Sequence, residues 1–239
     1  MRDVLIVIPA YNEAENLPKV FDDLKKNGGF ADVLFVNDCS RDGTKDLLEK
    51  SGFDYIENIF NVGYAMSVQT GIKYAVRNGY SYVIQMDADG QHVTSEAKKL
   101  YEYIKENKCD IVIGSRYLRK TSYKCSATRR FGTKIFELII KIFCRKKITD
   151  PLSGFQCLNR RVMEKYSVSS FYPEYPDTNL IMEMIFLGYK IKEVSVQMHS
   201  REFGKSMHGG ILKPFKYMVS MFYSIALILL QNIRRSKHE

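Results

Sequence analysis

Two carboxylates one residue apart, Asp87 and Asp89 with Ala88 between them, carry the clearest chemistry in this 239-residue chain. Such a pair offers hard oxygen ligands to a divalent cation, Mg2+ or Mn2+, that also holds phosphate oxygens. Gly90 permits a tight turn, and Gln91 adds a neutral oxygen, so Asp87, Asp89 and Gln91 form the candidate metal set. A cation there would neutralise charge on a departing diphosphate. An Asp-rich turn is ordinarily no more than solvated. This one leaves the apolar run 82–86, with His92 close behind, and that position favours the chemical reading.

Two further apolar runs end in polar residues. Run 4–8 leads into Pro9, Ala10, Tyr11, Asn12 and Glu13, and run 33–36 into Asn37, Asp38, Cys39 and Ser40. The Asp38 carboxylate suits a nucleobase N–H, Tyr11 a base or ribose face, and Glu13 a ribose hydroxyl. Asp38 equally suits the cap of a following helix, and Glu13 the positive end of a helix dipole. No glycine-rich dinucleotide fingerprint follows the first run, and no GxxxxGK[ST] occurs. Both a nicotinamide enzyme and a P-loop NTPase are therefore disfavoured.

The elements that must position these residues alternate in type. Runs 4–8, 33–36, 55–59, 82–86 and 111–113 read as buried parallel strands. Segments 13–26, 43–50, 64–76 and 95–106 between them read as helices, the last with Thr94 as its cap. Strand–helix alternation predicts an α/β chain with an open, mostly parallel sheet flanked by helices. Ligands in such sheets collect outside the carboxyl ends of the strands, where the three polar runs lie.

Past Arg116 the pattern changes. Lys and Arg number 36 against 27 Asp and Glu, a net charge of +9. Residues 116–147 hold 11 basic residues and one acid, a net of +10, and the rest of the chain sums to −1. Segment 130–147 reads as a helix with Phe131, Ile135, Leu138, Ile139, Ile142 and Phe143 on one side and Arg130, Lys134, Lys141 and Arg145 along an edge. A nucleic acid would have no use for that apolar side, whereas an anionic bilayer surface attracts an apolar helix rimmed with cations. A core helix with one solvated basic face is the plainer alternative. A Gly-containing stretch then leads to apolar 155–158, followed by a helix near 180–187 and a strand at 191–198. Pro214 opens a last helix, charge-free over the 14 residues 217–230 and followed by Arg234, Arg235 and Lys237. At 1.5 Å per residue that stretch reaches roughly 21 Å, short of a ~30 Å hydrocarbon core. A helix lying in the interface or docked on a partner fits it better. Five scattered cysteines without a CxxC pair suggest reduced thiols, and the N-terminal run lacks the marks of a signal peptide. Glycine and proline follow no repeat, and 30 Tyr and Phe exclude a disordered chain.

With these residues assembled, the chain resembles family 2 glycosyltransferases of the GT-A fold, and among them the polyprenyl-phosphate, dolichol-phosphate-mannose-synthase-like group. The resemblance is carried by Ile8 to Glu13, Val36 to Thr44, Asn61-Val62-Gly63, Gln85 to His92, Gly114 to Tyr117, Asp150 to Phe155 and Arg201 to Ser206, in that order. It implies a GT-A, Rossmann-like catalytic domain over 1–210 and a C-terminal apolar helix with a basic tail over 211–239. It implies that Pro9, Tyr11, Glu13 and Asp38 hold the nucleotide of a UDP- or GDP-sugar, and that Asp87, Ala88, Asp89 and Gln91 meet metal and diphosphate. Arg116, Arg130, Arg201 and Lys205 would bind phosphates of donor and lipid acceptor, with Arg129 an alternative to Arg130. Asp150 matches an acid near the reacting centre, which makes Asp89, Arg116 and Asp150 the candidate catalytic set. The implied reaction is metal-dependent, inverting transfer to a polyprenyl phosphate at the cytoplasmic membrane face, by a peripheral or monotopic protein. A glycan hydroxyl is the rival acceptor, and it would need a base such as Asp150, Glu174 or Asp177. A non-catalytic nucleotide-sugar-binding subunit, docked on a small membrane subunit or a second copy, is a third reading.

Overall fold

Strand β1 (Val4–Ala10) is buried at every position, as a strand apolar on both sides must be, and it takes an interior place in the sheet. The computed structural model describes residues 2–119, 127–168, 173–200, 203 and 212–236. Seven strands form one sheet in the order β3-β2-β1-β4-β6-β5-β7, where β2 is Asp32–Asn37, β3 Asp54–Glu57, β4 Tyr82–Gln85, β5 Ile111–Ser115, β6 Gln156–Asn159 and β7 Ile191–Ser195. All the pairings are parallel except those of β6, which runs against both β4 and β5. Pairing of β1 with β4 covers only Val4 to Val7, so Pro9, which has no N–H to give, lies beyond that ladder.

Helices cover both faces. On one side α1 (Leu17–Asn27), α2 (Thr44–Ser51) and α4 (Thr94–Asn107) enclose Phe21, Phe35, Leu48 and Leu100. On the other, α3 (Tyr64–Arg77), α5 (Ala127–Cys144), α6 (Arg160–Val168), α7 (Thr178–Phe186) and α8 (Leu212–Ser236) share a core that includes Val7, Ile72, Phe136, Met163, Met182 and Met221. α3 lies so close to β1 that a Cβ on Gly71 would meet Val7 Cγ1 at 2.2 Å. Gly71→Ala is therefore expected to lower stability by about 1–3 kcal/mol, measured by denaturant unfolding. A variant as stable as the parent would show that this contact can relax.

Several expectations need correction. Run 55–59 is no buried strand. β3 is an edge strand, with Asp54 and Glu57 exposed, and Ile59 beyond it is 94% exposed. Its one strand neighbour is β2. Helix α6 falls in a charged stretch whose only buried residues are Val162, Met163 and Tyr166, too few to give a helical period by eye. α5 ends at Cys144 rather than Lys147, because Arg145 turns to φ 53°. It buries Thr133, Phe136 and Ile140, and leaves Phe131, Leu138, Ile142 and Phe143 exposed. The reach of α8 also exceeds that of its charge-free stretch. Its part Phe215–Arg235, 21 residues, is long and apolar enough to cross a membrane by length and composition. One face of it is nevertheless docked, with Tyr217, Met221, Ser224 and Ile225 buried and Phe215, Val219, Tyr223 and Leu230 exposed.

Candidate active site

The ends of β1, β2 and β4 meet at one edge of the sheet. The loops after β1 and β2 are tied together: Asn12 N donates to Ser40 Oγ (3.0 Å), Arg41 N to Asn12 Oδ1 (2.8 Å), and Glu13 N to Thr44 Oγ1 (2.9 Å). Asn12 and Cys39 both adopt positive φ, 54° and 57°, a conformation that only a well-determined loop imposes on side-chain-bearing residues. Tyr11 is exposed, Pro9 buried, and Glu13 accepts from Asn16 Nδ2 at 2.6 Å.

Asp38 is buried and already engaged. Its Oδ1 accepts from Asn58 Nδ2 and Val62 N, each at 2.9 Å, and its Oδ2 from Gly63 N at 2.8 Å. A carboxylate has about four acceptor positions, so roughly one is left for a nucleobase. The helix-capping alternative falls to Asp42 instead, whose Oδ1 accepts from Thr44 N at 3.0 Å. Gly63 ends the Asp38 clasp with φ 88°, and the next residue, Tyr64, donates its hydroxyl to Asp87 Oδ1 at 3.0 Å. One short segment thus spaces the nucleotide candidate from the metal candidate.

Asp87 and Asp89 leave β4 as expected. Asp89 Oδ1 accepts from Gln91 N at 3.0 Å, Gly90 takes φ 72°, and Ala88 is buried. The Gln91 amide donates to His199 O at 3.4 Å, which leaves its oxygen for a ligand. His92 is buried, stacked on Phe155 at 4.4 Å, and accepts from Asp87 N through Nδ1 at 2.9 Å. It supports the backbone of Asp87. Among the described residues no three His, Cys, Asp or Glu side chains cluster as a complete metal site. Two carboxylates do fit a Mg2+- or Mn2+-type ion whose other ligands are phosphate oxygens and water, because such ions keep few protein ligands.

Arg116 and Asp150 form a pair in the interior. Arg116 Nε and Nη2 reach Asp150 Oδ2 and Oδ1, both at 2.7 Å, and Arg116 N also donates to Oδ2 at 2.9 Å. Asp150 is fully buried and Arg116 is 5% exposed. The resemblance made Arg116 a phosphate-binding arginine. Its carboxylate partner is Asp150.

Behind the pair stands Glu193 on β7, which sequence reasoning did not find. It accepts from Thr149 N and Thr149 Oγ1 at 2.9 Å and from Asp150 N at 3.0 Å. Burial pushes its carboxyl up, against those hydrogen bonds. A lone acid inside the run Ile191–Ser195 was the available signal.

A cavity of about 330 Å³ opens alongside, lined among others by Tyr117, Arg130, Lys134, Lys147, Thr149 and Glu193. The guanidinium carbons of Arg116 and Arg130 lie 5.5 and 4.0 Å from the centre of the Tyr117 ring, so the structure brings these two arginines together. Arg130 Nη1 is buried without a hydrogen-bond partner, an orphaned donor beside the cavity. Arg201 and Lys205 lie outside the described residues, as does the side chain of Arg129.

Asp177, just ahead of α7, completes the cluster. Burial pushes its carboxyl up to about 6, against the hydroxyl of Tyr217 and the charge of Arg116, while the carboxylates of Asp87 and Asp150 lie within electrostatic range. Glu174 is instead exposed and bonded to Lys216 Nζ at 3.2 Å.

Comparison with known proteins agrees with this arrangement. The chain is 27% identical over 215 residues to a polyprenol monophosphomannose synthase of Mycolicibacterium smegmatis, covering 86% of this chain and 81% of that protein. It is 28% identical over 222 residues to an undecaprenyl-phosphate mannosyltransferase of Micrococcus luteus, covering 87% and 89%. A solved glucosyl-3-phosphoglycerate synthase of Mycobacterium tuberculosis, in complex with Mn2+, UDP and glucosyl-3-phosphoglycerate, superimposes with a TM-score of 0.68 at 14% identity, covering 97% of this chain and 80% of that one. That likeness establishes the GT-A fold. The sequence model of Glycosyl transferase family 2 matches residues 5–167, and the chain, a glycosyltransferase, belongs to that family.

Proposed function

We propose that the protein transfers a sugar from a nucleotide-sugar to the phosphate of a polyprenyl lipid, with inversion at the anomeric carbon, at the cytoplasmic face of a membrane. The observation that carries this reading is the charged cavity beside the Arg116–Asp150 pair, in which cations outnumber acids. Arg130, Lys134 and Lys147 line it against Glu137 and Glu193, and the exposed Phe131, Leu138, Ile142 and Phe143 lie on the helix that supplies Arg130 and Lys134. A phosphate on a hydrocarbon chain has those two needs. The names of both mannosyl-transferring relatives support the acceptor class.

The residues divide the work. Tyr11, Glu13 and the remaining acceptor position of Asp38 receive the nucleoside, and Pro9 shapes the strand end. Asp87, Asp89 and Gln91 hold Mg2+ or Mn2+, which would supply charge neutralisation for the departing diphosphate. The solved relative with Mn2+ and UDP is consistent with that use. A phosphate monoester is anionic at neutral pH, so the acceptor needs cations and orientation more than a base. Arg130 offers its orphaned donor to it. Asp150 fixes the guanidinium plane of Arg116, and Arg201 and Lys205 add charge from the following segment. Residues 1–210 are the catalytic domain. Residues 211–239, with the exposed side of α5, attach it to the anionic surface.

Incubation with labelled nucleotide-sugars, Mn2+ and undecaprenyl phosphate, followed by organic extraction, tests this. Label is expected in a mild-acid-labile lipid fraction. Label confined to water-soluble glycan would overturn the acceptor assignment. One observation favours that second reading: Asp177, ionised above about pH 6, could accept the proton of a sugar hydroxyl.

A further inference from the structure

The C-terminal helix touches the chain at a place that matters for chemistry. Tyr217, one turn into the described part of α8, is buried and donates its hydroxyl to Asp177 Oδ2 at 2.9 Å. Its ring meets Phe136 of α5 at 6.4 Å and Tyr175 at 4.9 Å, both edge to face. The next residue along from Asp177 extends the connection: Thr178 Oγ1 donates to Pro151 O at 3.2 Å, and Pro151 directly follows Asp150. Asp150 in turn grips Arg116. A continuous run of contacts therefore joins an apolar, half-exposed helix to the buried ion pair at the sheet edge.

A helix that served only as an anchor would need none of this. Its exposed residues would meet the bilayer, and its buried side could be wholly apolar. Instead α8 places two polar groups on its docked face. Ser224, two turns farther along, accepts from Asn179 Nδ2 at 3.1 Å, and Asn179 Oδ1 accepts from the backbone N of Asp177 at 3.0 Å, so this tie reaches Asp177 only through its main chain. The Tyr217 bond ends on a carboxylate that feels Arg116, Asp87 and Asp150.

We propose that Tyr217 is a positioning residue of the reacting centre: by holding Asp177 and, through Thr178 and Pro151, the loop that carries Asp150, it makes the C-terminal helix part of the active site. The inference rests on the placement of Arg116 and Asp150 at the reacting centre in the reading above. It does not depend on which acceptor is used. A change in the seating of α8, for example on contact with lipid, would be read directly at Asp177.

The test compares Tyr217→Phe, which keeps the ring and its packing, with Ser224→Ala, which removes the other polar tie between α8 and α7. Release of nucleoside diphosphate is followed with undecaprenyl phosphate and, separately, with an oligosaccharide acceptor. Tyr217→Phe is expected to lower kcat about tenfold with the donor KM unchanged, as loss of one hydrogen bond to a charged group allows. Ser224→Ala is expected to keep the parent kcat, and both variants to float equally with anionic vesicles. Equal kcat losses in the two variants would overturn the inference in favour of simple helix docking, and so would an unchanged Tyr217→Phe. Parent enzyme that uses only the oligosaccharide would overturn the acceptor assignment and leave this comparison intact. Amide hydrogen exchange needs no turnover: Tyr217→Phe should speed exchange at 150–153, the loop that Thr178 holds through Pro151, severalfold more than Ser224→Ala does. Identical exchange would equally overturn the inference.

Discussion

Asp89→Asn is expected to abolish sugar transfer, by about 10^3-fold or more, the upper end of what losing one preorganised electrostatic group does. The substitution keeps the shape of the side chain and an oxygen that can accept from Gln91 N, as Asp89 Oδ1 does at 3.0 Å. Melting temperature should therefore match the parent within a degree or two. What changes is charge: one of the two carboxylates that leave β4 becomes neutral, and a hard divalent cation loses an anionic ligand. Initial rates across a Mn2+ and Mg2+ titration are the measurement. A variant that turns over like the parent at saturating metal would refute the assignment of Asp87 and Asp89.

The second large effect falls on stability as well as rate. Arg116→Met leaves Asp150, which is fully buried, without its guanidinium partner. Removing one member of such a pair costs about 3–5 kcal/mol, since the other is left as an uncompensated charge. That is a large part of the roughly 5–15 kcal/mol that holds an ordinary domain folded. The double variant Arg116→Met with Asp150→Leu removes both charges, and it should recover most of the lost stability. Turnover should not recover. Urea unfolding and steady-state rates on the parent, the two single variants and the double variant make the cycle. Recovery of activity along with stability would mean that the pair only holds the fold together.

Much of the sheet that places Tyr11, Asp38, Asp87 and Asp89 was legible in the sequence. Runs 4–8, 33–36 and 82–86 announced strands because they are apolar on both faces, and the polar residues that follow them had to lie at one sheet edge. The parts that were not legible depend on contacts between distant segments. Nothing in the sequence near Asp38 says that Val62 and Gly63 will close on its carboxylate, and nothing near Arg116 says that Asp150 will meet it. Glu193 reads as one acid in a short strand until β7 is paired with β5, opposite Ile113. The exposed side of α5 was visible as an apolar stripe, but its docking through Thr133, Phe136 and Ile140 was not, because the wheel places the larger apolar group on the opposite side. α8 is longer than its charge-free stretch because Phe215, Lys216 and residues 231–236 continue the same helix.

Strand β6 also sets the order in which the chain can assemble. Gln85 pairs with Gln156, 71 positions on (156 − 85), whereas Leu5 pairs with Asp32, 27 on (32 − 5). Closing the longer loop is entropically dearer, and pairing at long separation slows folding. The β3-β2-β1 part can therefore form early. β4, whose Tyr82 pairs with Val4 78 positions back (82 − 4), joins no sooner than β6, and β5 waits for a reversed strand that has to arrive between it and β4. Asp150 and Arg116 lie on either side of that late junction. Their charges leave water only when the sheet closes, so closing the sheet and burying the Arg116–Asp150 pair are one step.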